Sequence, residues 1–297
     1  MDGFKDLHPA VLFLYYLTLI FTTVITLHPV MLILSLCGGI FYYALLAERQ
    51  EFIKDICFYF LIFVVIALSN PVFSHRGETV IFYVNDNPIT KESLMYGISA
   101  SAMIVSVMFW CKCYGKIMDT DKILYLFGKS VPKLSVIISM AFRFIPAFKR
   151  QSQNVTDVQK IMGLKKKYGR LGGSLRIFDS VLGWAMENSV DTADAMACRG
   201  FGHGRRTSYS IFCAGMCDYI SGGFIFIYFI IFVYGMVKGI YGYSYYPVTD
   251  TVRTDMGNMA FYFIHGIAAF IPFGYTLFRN IMVSIKFRRQ KEQEEWT

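Results

Sequence analysis

The chain has 297 residues, of which 55% are hydrophobic and only 17% charged, and it carries a formal net charge of +8. That balance lies outside the range of soluble globular domains and excludes that class. The basic surplus does not call for a nucleic-acid partner either, because in a membrane protein the informative quantity is where Lys and Arg fall relative to the spans.

A hydrocarbon core about 30 Å thick needs roughly 20 apolar residues of helix. Six runs approach that length: residues 10–27, 29–47, 52–70, 94–113, 211–237 and 260–284. The first two, "AVLFLYYLTLIFTTVITL" and "PVMLILSLCGGIFYYALLA", are separated by His28 alone and predict a tight helical hairpin. The third is expected to break after "SNP", since proline disfavours helix at the residue before it. The first run lacks a strongly basic flank and ends in "TLHP" instead of a small-residue cleavage site, so it is expected to be a retained span. The expected fold is an all-α integral membrane protein with about six transmembrane helices and a cytosolic helical module between spans four and five.

Counting cations orients it. With the N-terminus inside, 25 of the 29 Lys and Arg fall on inner segments and only Arg76, Lys91, Lys238 and Arg253 fall outside. The positive-inside rule then places both termini in the cytoplasm. The expected regions are 1–113, a four-span membrane part; 114–208, the cytosolic module; and 209–297, two spans with a basic tail.

Within the module a short helix is expected over 119–127, closed by Gly128. Ser130 is a candidate N-cap and Pro132 suits a first turn for the next helix, which Pro146 should kink. Val136, Met140, Phe144 and Ala147 recur at four- and three-residue spacing, an apolar stripe, with Lys133, Arg143 and Arg150 elsewhere. A third helix is expected over 151–162, ending at Gly163, then a turn "LKKKYGRLGG", then a fourth over 174–199 ending at Gly200. Glu187, Asp191 and Asp194 share a face of that fourth helix, with Val181, Leu182, Ala185 and Val190 available for packing.

Arg199 at the helix end has a bland explanation, because a cation there is favoured by about 0.3–1 kcal/mol through the helix dipole alone. Arg205 and Arg206 follow within seven residues, and a basic tip of this kind suits docking into an acidic groove of another protein. Enzymatic chemistry is not visible. The seven cysteines form no C-x-x-C pair and read as small buried hydrophobes. No His/Cys/Asp/Glu cluster suggests a metal, and no G-x-x-x-x-G-K-[ST] loop suggests nucleotide binding. His28 and His265 read as hydrogen-bonded or interfacial residues and not as proton relays. Two alternatives stay open at this point: a self-contained secondary transporter, hinted at by Gly38-Gly39 and Gly222-Gly223, and a membrane enzyme.

The combination of "DLHPAVLFLYY", "LHPV", "NPVFSHRGETVIFYVNDNPITKESLMYG", "TDKILYLFGKSVPKLSVIISMAFRFIPAF" and "TADAMACRGFGHGRRT" resembles the transmembrane T component of energy-coupling factor (ECF) transporters, bacterial vitamin and metal-ion importers related to ABC transporters. These stretches run from about residue 6 to residue 207. The resemblance implies a non-catalytic subunit of the bacterial cell membrane, without a cofactor. It would join two cytosolic ABC ATPases, which hydrolyse the ATP, to a membrane-embedded substrate-binding S component. In such proteins two coupling helices end in Ala-Arg-Gly motifs whose arginines dock on the ATPases. Ala197, Cys198, Arg199, Gly200 and Phe201 match the second motif, with Cys198 in place of alanine. Gln159, Lys160, Met162 and Gly163 stand where the first is expected, but Ile161 and Met162 replace its alanine and arginine. Lys160 or Lys165 would then substitute for the missing cation, or the docking site would be mainly apolar. The surface toward the S component would comprise Val136, Ile137, Met140, Arg143, Phe144, Pro146 and Phe148.

Overall fold

The computed structural model of the protein describes residues 4–74, 77–84, 87–130, 132–201, 212, 215–250 and 256–294. Among these residues the chain forms nine helices and one two-stranded hairpin: α1 (Pro9–Ile25), α2 (Pro29–Leu46), α3 (Arg49–Phe73), β1 (Val80–Val84), β2 (Asn87–Thr90), α4 (Lys91–Ile117), α5 (Thr120–Ser130), α6 (Pro132–Ile161), α7 (Leu164–Cys198), α8 (Met216–Val237) and α9 (Met256–Glu294). Five of them, α2, α3, α4, α8 and the 257–283 stretch of α9, are long and apolar enough to cross a membrane. α1 is equally apolar but has 17 residues, about 25 Å at 1.5 Å per residue. The protein is an all-α integral membrane protein.

The chain divides into two compact units, one of residues 1–122 with 212–297 and the other of residues 123–211. In the first, α2 packs on α4 and α9, α3 on α4, and α1 on α4 and α8. Two helices begin at a His-Pro step, with Pro9 and Pro29 at the first helical position, where a missing N–H costs nothing. His8 Nδ1 accepts from the Ala10 N–H at 3.3 Å. Large side chains fill the interior, among them Tyr16 and Leu19 of α1, Tyr42 and Tyr43 of α2, and Phe109 and Trp110 of α4.

Lipid is as apolar as leucine, so helices in a bilayer associate through close packing and hydrogen bonds. Both are present. The Thr23 hydroxyl donates to the Leu19 carbonyl at 2.8 Å, which leaves it an acceptor for Ser35 at 2.8 Å. Ser35 Oγ in turn takes Ser106 Oγ at 2.9 Å and the Trp110 indole N–H at 3.0 Å. That node ties α1, α2 and α4 with every partner buried.

Several expectations are corrected. The third span does not break at Asn70: α3 continues through Pro71 to Phe73. Pro71 cannot bond the Ala67 carbonyl, but Gly97 of α4 comes so close to that oxygen that a Cβ would lie 2.6 Å from it. Asn70 Nδ2 also donates to the Ser93 carbonyl at 2.7 Å, so α3 is tied to α4 beside the proline. The stretch before the fourth span contains a hairpin that the apolar-run reading passes over; Val80, Phe82, Tyr83 and Val84 pair antiparallel with Thr90, Ile89, Pro88 and Asn87. Its β-branched and aromatic residues suit a strand. The separate helix expected over 151–162 is the second half of one unbroken 30-residue α6, which retains Pro146 in its interior. The expected turn 164–173 is helical and opens α7, since Gly163 alone, at φ 67°, supplies the reversal. Finally, the fifth apolar helix begins at Met216, after residues 213 and 214, and residues 202–211, with Arg205 and Arg206, lie outside the described residues.

Outside the spans, His28 and Lys122 are among the groups that burial marks. His28, 2% exposed, is stacked on Tyr262 at 4.7 Å and bonds its hydroxyl through Nε2 at 2.9 Å; desolvation lowers the imidazole pKa. The other is Lys122, whose pKa burial also lowers while Asp119 opposes the shift. The expectation that both histidines are hydrogen-bonded holds: His265 Nδ1 lies 2.7 Å from the Tyr228 hydroxyl.

Candidate partner-docking sites

The second unit is built on α6 and α7, which pack against each other. Phe144 and Phe148 stack on α6 with centroids 5.9 Å apart, and Trp184 of α7 meets Phe148 edge-on at 5.9 Å. Val181, Trp184, Ala185 and Asn188 form the half-buried side of α7.

Both helices end on a left-handed glycine. At the end of α7 the Phe201 N–H reaches the Met196 carbonyl at 3.0 Å and the Gly200 N–H reaches that of Ala197 at 2.9 Å, the two bonds of a Schellman cap, with Gly200 at φ 77°. Ala197, Cys198, Arg199 and Gly200 are exposed, as is Phe201 at 49%. Arg199 itself is the C-cap residue at φ −84°, so its exposed side chain is displayed at the end of the helix.

At the end of α6 the Gly163 N–H bonds the Lys160 carbonyl at 3.1 Å and Met162 occupies the position that Arg199 holds on α7. Ile161 and Met162 are 86% and 68% exposed. Gln159 is turned inward at 8% exposure, and Lys160 Nζ is paired with Asp157 at 2.8 Å. The tip of α6 therefore presents hydrocarbon, while the cation beside it is held along the helix. The side chain of Lys165 lies outside the described residues.

The residues expected to face a membrane partner divide. Ile137 at 64%, Arg143, Pro146 and Phe148 are exposed, whereas Val136, Met140 and Phe144 are half-buried. Ile145 at 59% and Phe142 at 45% add exposed apolar area that the stripe through Met140 does not include. On α7 the packing expectation fails for Leu182 and Val190, which are exposed. They belong to an outward stripe of Leu171, Leu175, Phe178, Leu182, Met186 and Val190 at spacings of four, three, four, four and four. The 3.6-residue period of that stripe is legible in the sequence. The inward face built on Trp184 takes the packing in its place. Glu187, Asp191 and Asp194 are exposed beside the stripe. Among the described residues no three His, Cys, Asp or Glu side chains gather as a metal site would require.

No protein-family model matches the chain. It is 25% identical over 179 residues to an uncharacterized protein of Mycoplasma pneumoniae, covering 59% of this chain and 40% of that one. It is 27% identical over 113 residues to the energy-coupling factor transporter transmembrane protein of Leuconostoc gelidum, covering 35% of this chain and 42% of that one. The chain thus spans about two-fifths of the length of each of these relatives. The second similarity makes this chain a distant relative of a membrane transporter component.

Proposed function

We propose that the chain is the transmembrane coupling subunit of an ECF-type importer, carrying ATP-driven motion of two cytosolic ABC ATPases to a substrate-binding membrane S component for uptake of a vitamin, metal ion or similar micronutrient. The observation that carries the reading is the α7 tip: an exposed arginine fixed on a Schellman-capped helix end. A C-terminal dipole explains a cation at that position but not its display on a capped, exposed tip next to Gly200 and Phe201. In this reading residues 114–208 lie in the cytoplasm with both termini, Arg199 enters an acidic groove of one ATPase, and Ile161-Met162 meets the other through an apolar contact. The exposed residues of α6 from Ile137 to Phe148, with the stripe of α7, face the S component. The chain itself performs no bond chemistry.

The test is affinity purification of the tagged chain from native membranes, with the co-purifying proteins identified by mass spectrometry. Two proteins with nucleotide-binding loops and one small membrane protein are expected. Arg199→Glu should lower ATPase recovery at least about tenfold, the loss typical of a buried interface arginine, while the apolar helices stay folded. Wild-type chain recovered without ATPases, or Arg199→Glu with full recovery, would overturn the reading.

A further inference from the structure

Residues 4–8 are too few to form an element, yet they are tied to the helices on every side. Phe4 is 5% exposed, and its ring meets Tyr15 of α1, Tyr42 of α2 and Tyr275 of α9 edge-on at 5.4, 6.1 and 6.2 Å. Asp6 pairs with Arg279 of α9 at 2.9 Å. The His8 N–H donates to Asp218 Oδ1 at 2.8 Å, and the second oxygen of that carboxylate accepts from the Gly215 N–H at 2.8 Å, at the start of α8. Lys5 is bonded twice to the segment that opens α5: its ammonium to Asp119 at 3.3 Å, and its carbonyl to Lys122 Nζ at 2.6 Å.

Lys122 completes the arrangement. Its side chain is 6% exposed, and the ammonium donates a second time, to the carbonyl of Ile117 at 3.1 Å, the last residue of α4. Burying a lysine is costly unless its donors are used. Here they meet the carbonyl end of a 27-residue helix, where partial negative charge collects. Lys122 is also the last residue of the first unit before the chain passes into the second.

We propose that residues 4–8 are a clasp that gathers α1, α2, α8 and α9, and that Lys122 is the positioning residue through which the clasp fixes the first turn of α5. The chemistry suits such a lock, because one buried ammonium holds two carbonyls from segments 112 residues apart, those of Lys5 and Ile117. A subunit that transmits force needs a stiff root where the moving part begins, and this mechanical consequence rests on the function proposed above.

Hydrogen exchange of the full chain in lipid nanodiscs tests the clasp without any partner. Lys122→Met, which keeps the buried volume and removes both bonds, should raise amide exchange over residues 4–8 and 119–125 about tenfold while α2 stays protected. Phe4→Ala removes ring contacts to α1, α2 and α9 only, and it should loosen residues 119–125 as well. Unchanged exchange at 119–125 in Phe4→Ala would overturn the clasp, since Lys122 would then act locally. In the reconstituted transporter, Lys122→Met should recruit ATPases as wild type does yet move about fivefold less substrate per ATP, a coupling change within the usual range. Unchanged transport per ATP alongside a loosened root would overturn the mechanical consequence. A wild-type chain that recruits no ATPase would overturn the functional reading, and the exchange result would still decide the clasp.

Discussion

Arg199 and Met162 hold the same place in two helix ends, each immediately before a left-handed glycine, and they differ in everything a partner could recognise. The glycine stops are legible in the sequence because only glycine adopts that conformation cheaply. The orientation of Gln159 is not, since burial at 8% exposure is a tertiary property. Lys122 is hidden for the same reason. A single lysine after a helix gives no signal until the carbonyls of Lys5 and Ile117 are brought to it. His28 yields a prediction at this scale. Its Nδ1 has no hydrogen-bond partner among the described residues, and burial holds its pKa below the ordinary value of about 6.5. The unfolded chain takes the proton first, so the contribution of His28 is full above about pH 6.5 and is lost as the pH falls below it. Thermal unfolding in nanodiscs should therefore show a smaller drop between pH 7.5 and pH 5 in His28→Gln than in wild type. Equal drops would refute a neutral His28.

The apolar helices were legible as elements because length and composition suffice in a bilayer. Their internal boundaries were not. Pro71 reads as a break, but α4 supplies Gly97 beside the freed carbonyl and Ser93 beside Asn70, which no local rule anticipates. The β1–β2 hairpin leaves no trace at the scale of 20-residue apolar runs because its strands have five and four residues. The first ten residues of α7 are rich in glycine and lysine and read as a turn, although Gly163 already supplies the reversal. The outward stripe of α7 leads to a second prediction. Leu175→Ser, Phe178→Ser and Leu182→Ser together should leave the melting temperature within a few degrees of wild type, since each change at an exposed site costs under about 0.5 kcal/mol. Under the proposed function, the triple variant should lose the proposed membrane-embedded partner while keeping the proposed ATPases, as read by quantitative pull-down. Retention of that partner would move its site to another face.

For the whole molecule, the sequence conveyed the class and the run of six apolar helices, while the sidedness rests on charge counting alone. Thr249 follows α8 and Glu294 ends α9, so one apolar helix separates them. In a cysteine-free background, single cysteines at these two positions should be labelled by a membrane-impermeant reagent from opposite sides of sealed vesicles, with Glu294 inside. Labelling from the same side would remove α9 from the spans. α9 has a further property of scale. Its 39 residues measure about 58 Å, against a hydrocarbon core of about 30 Å. Its apolar part ends at Val283, yet the helix runs on to Glu294 past Lys286, Arg288, Arg289 and Lys291. Whatever its tilt, a helix nearly twice the thickness of the oil cannot lie wholly within it, and its excess length falls beyond Val283, as an outrigger to the span.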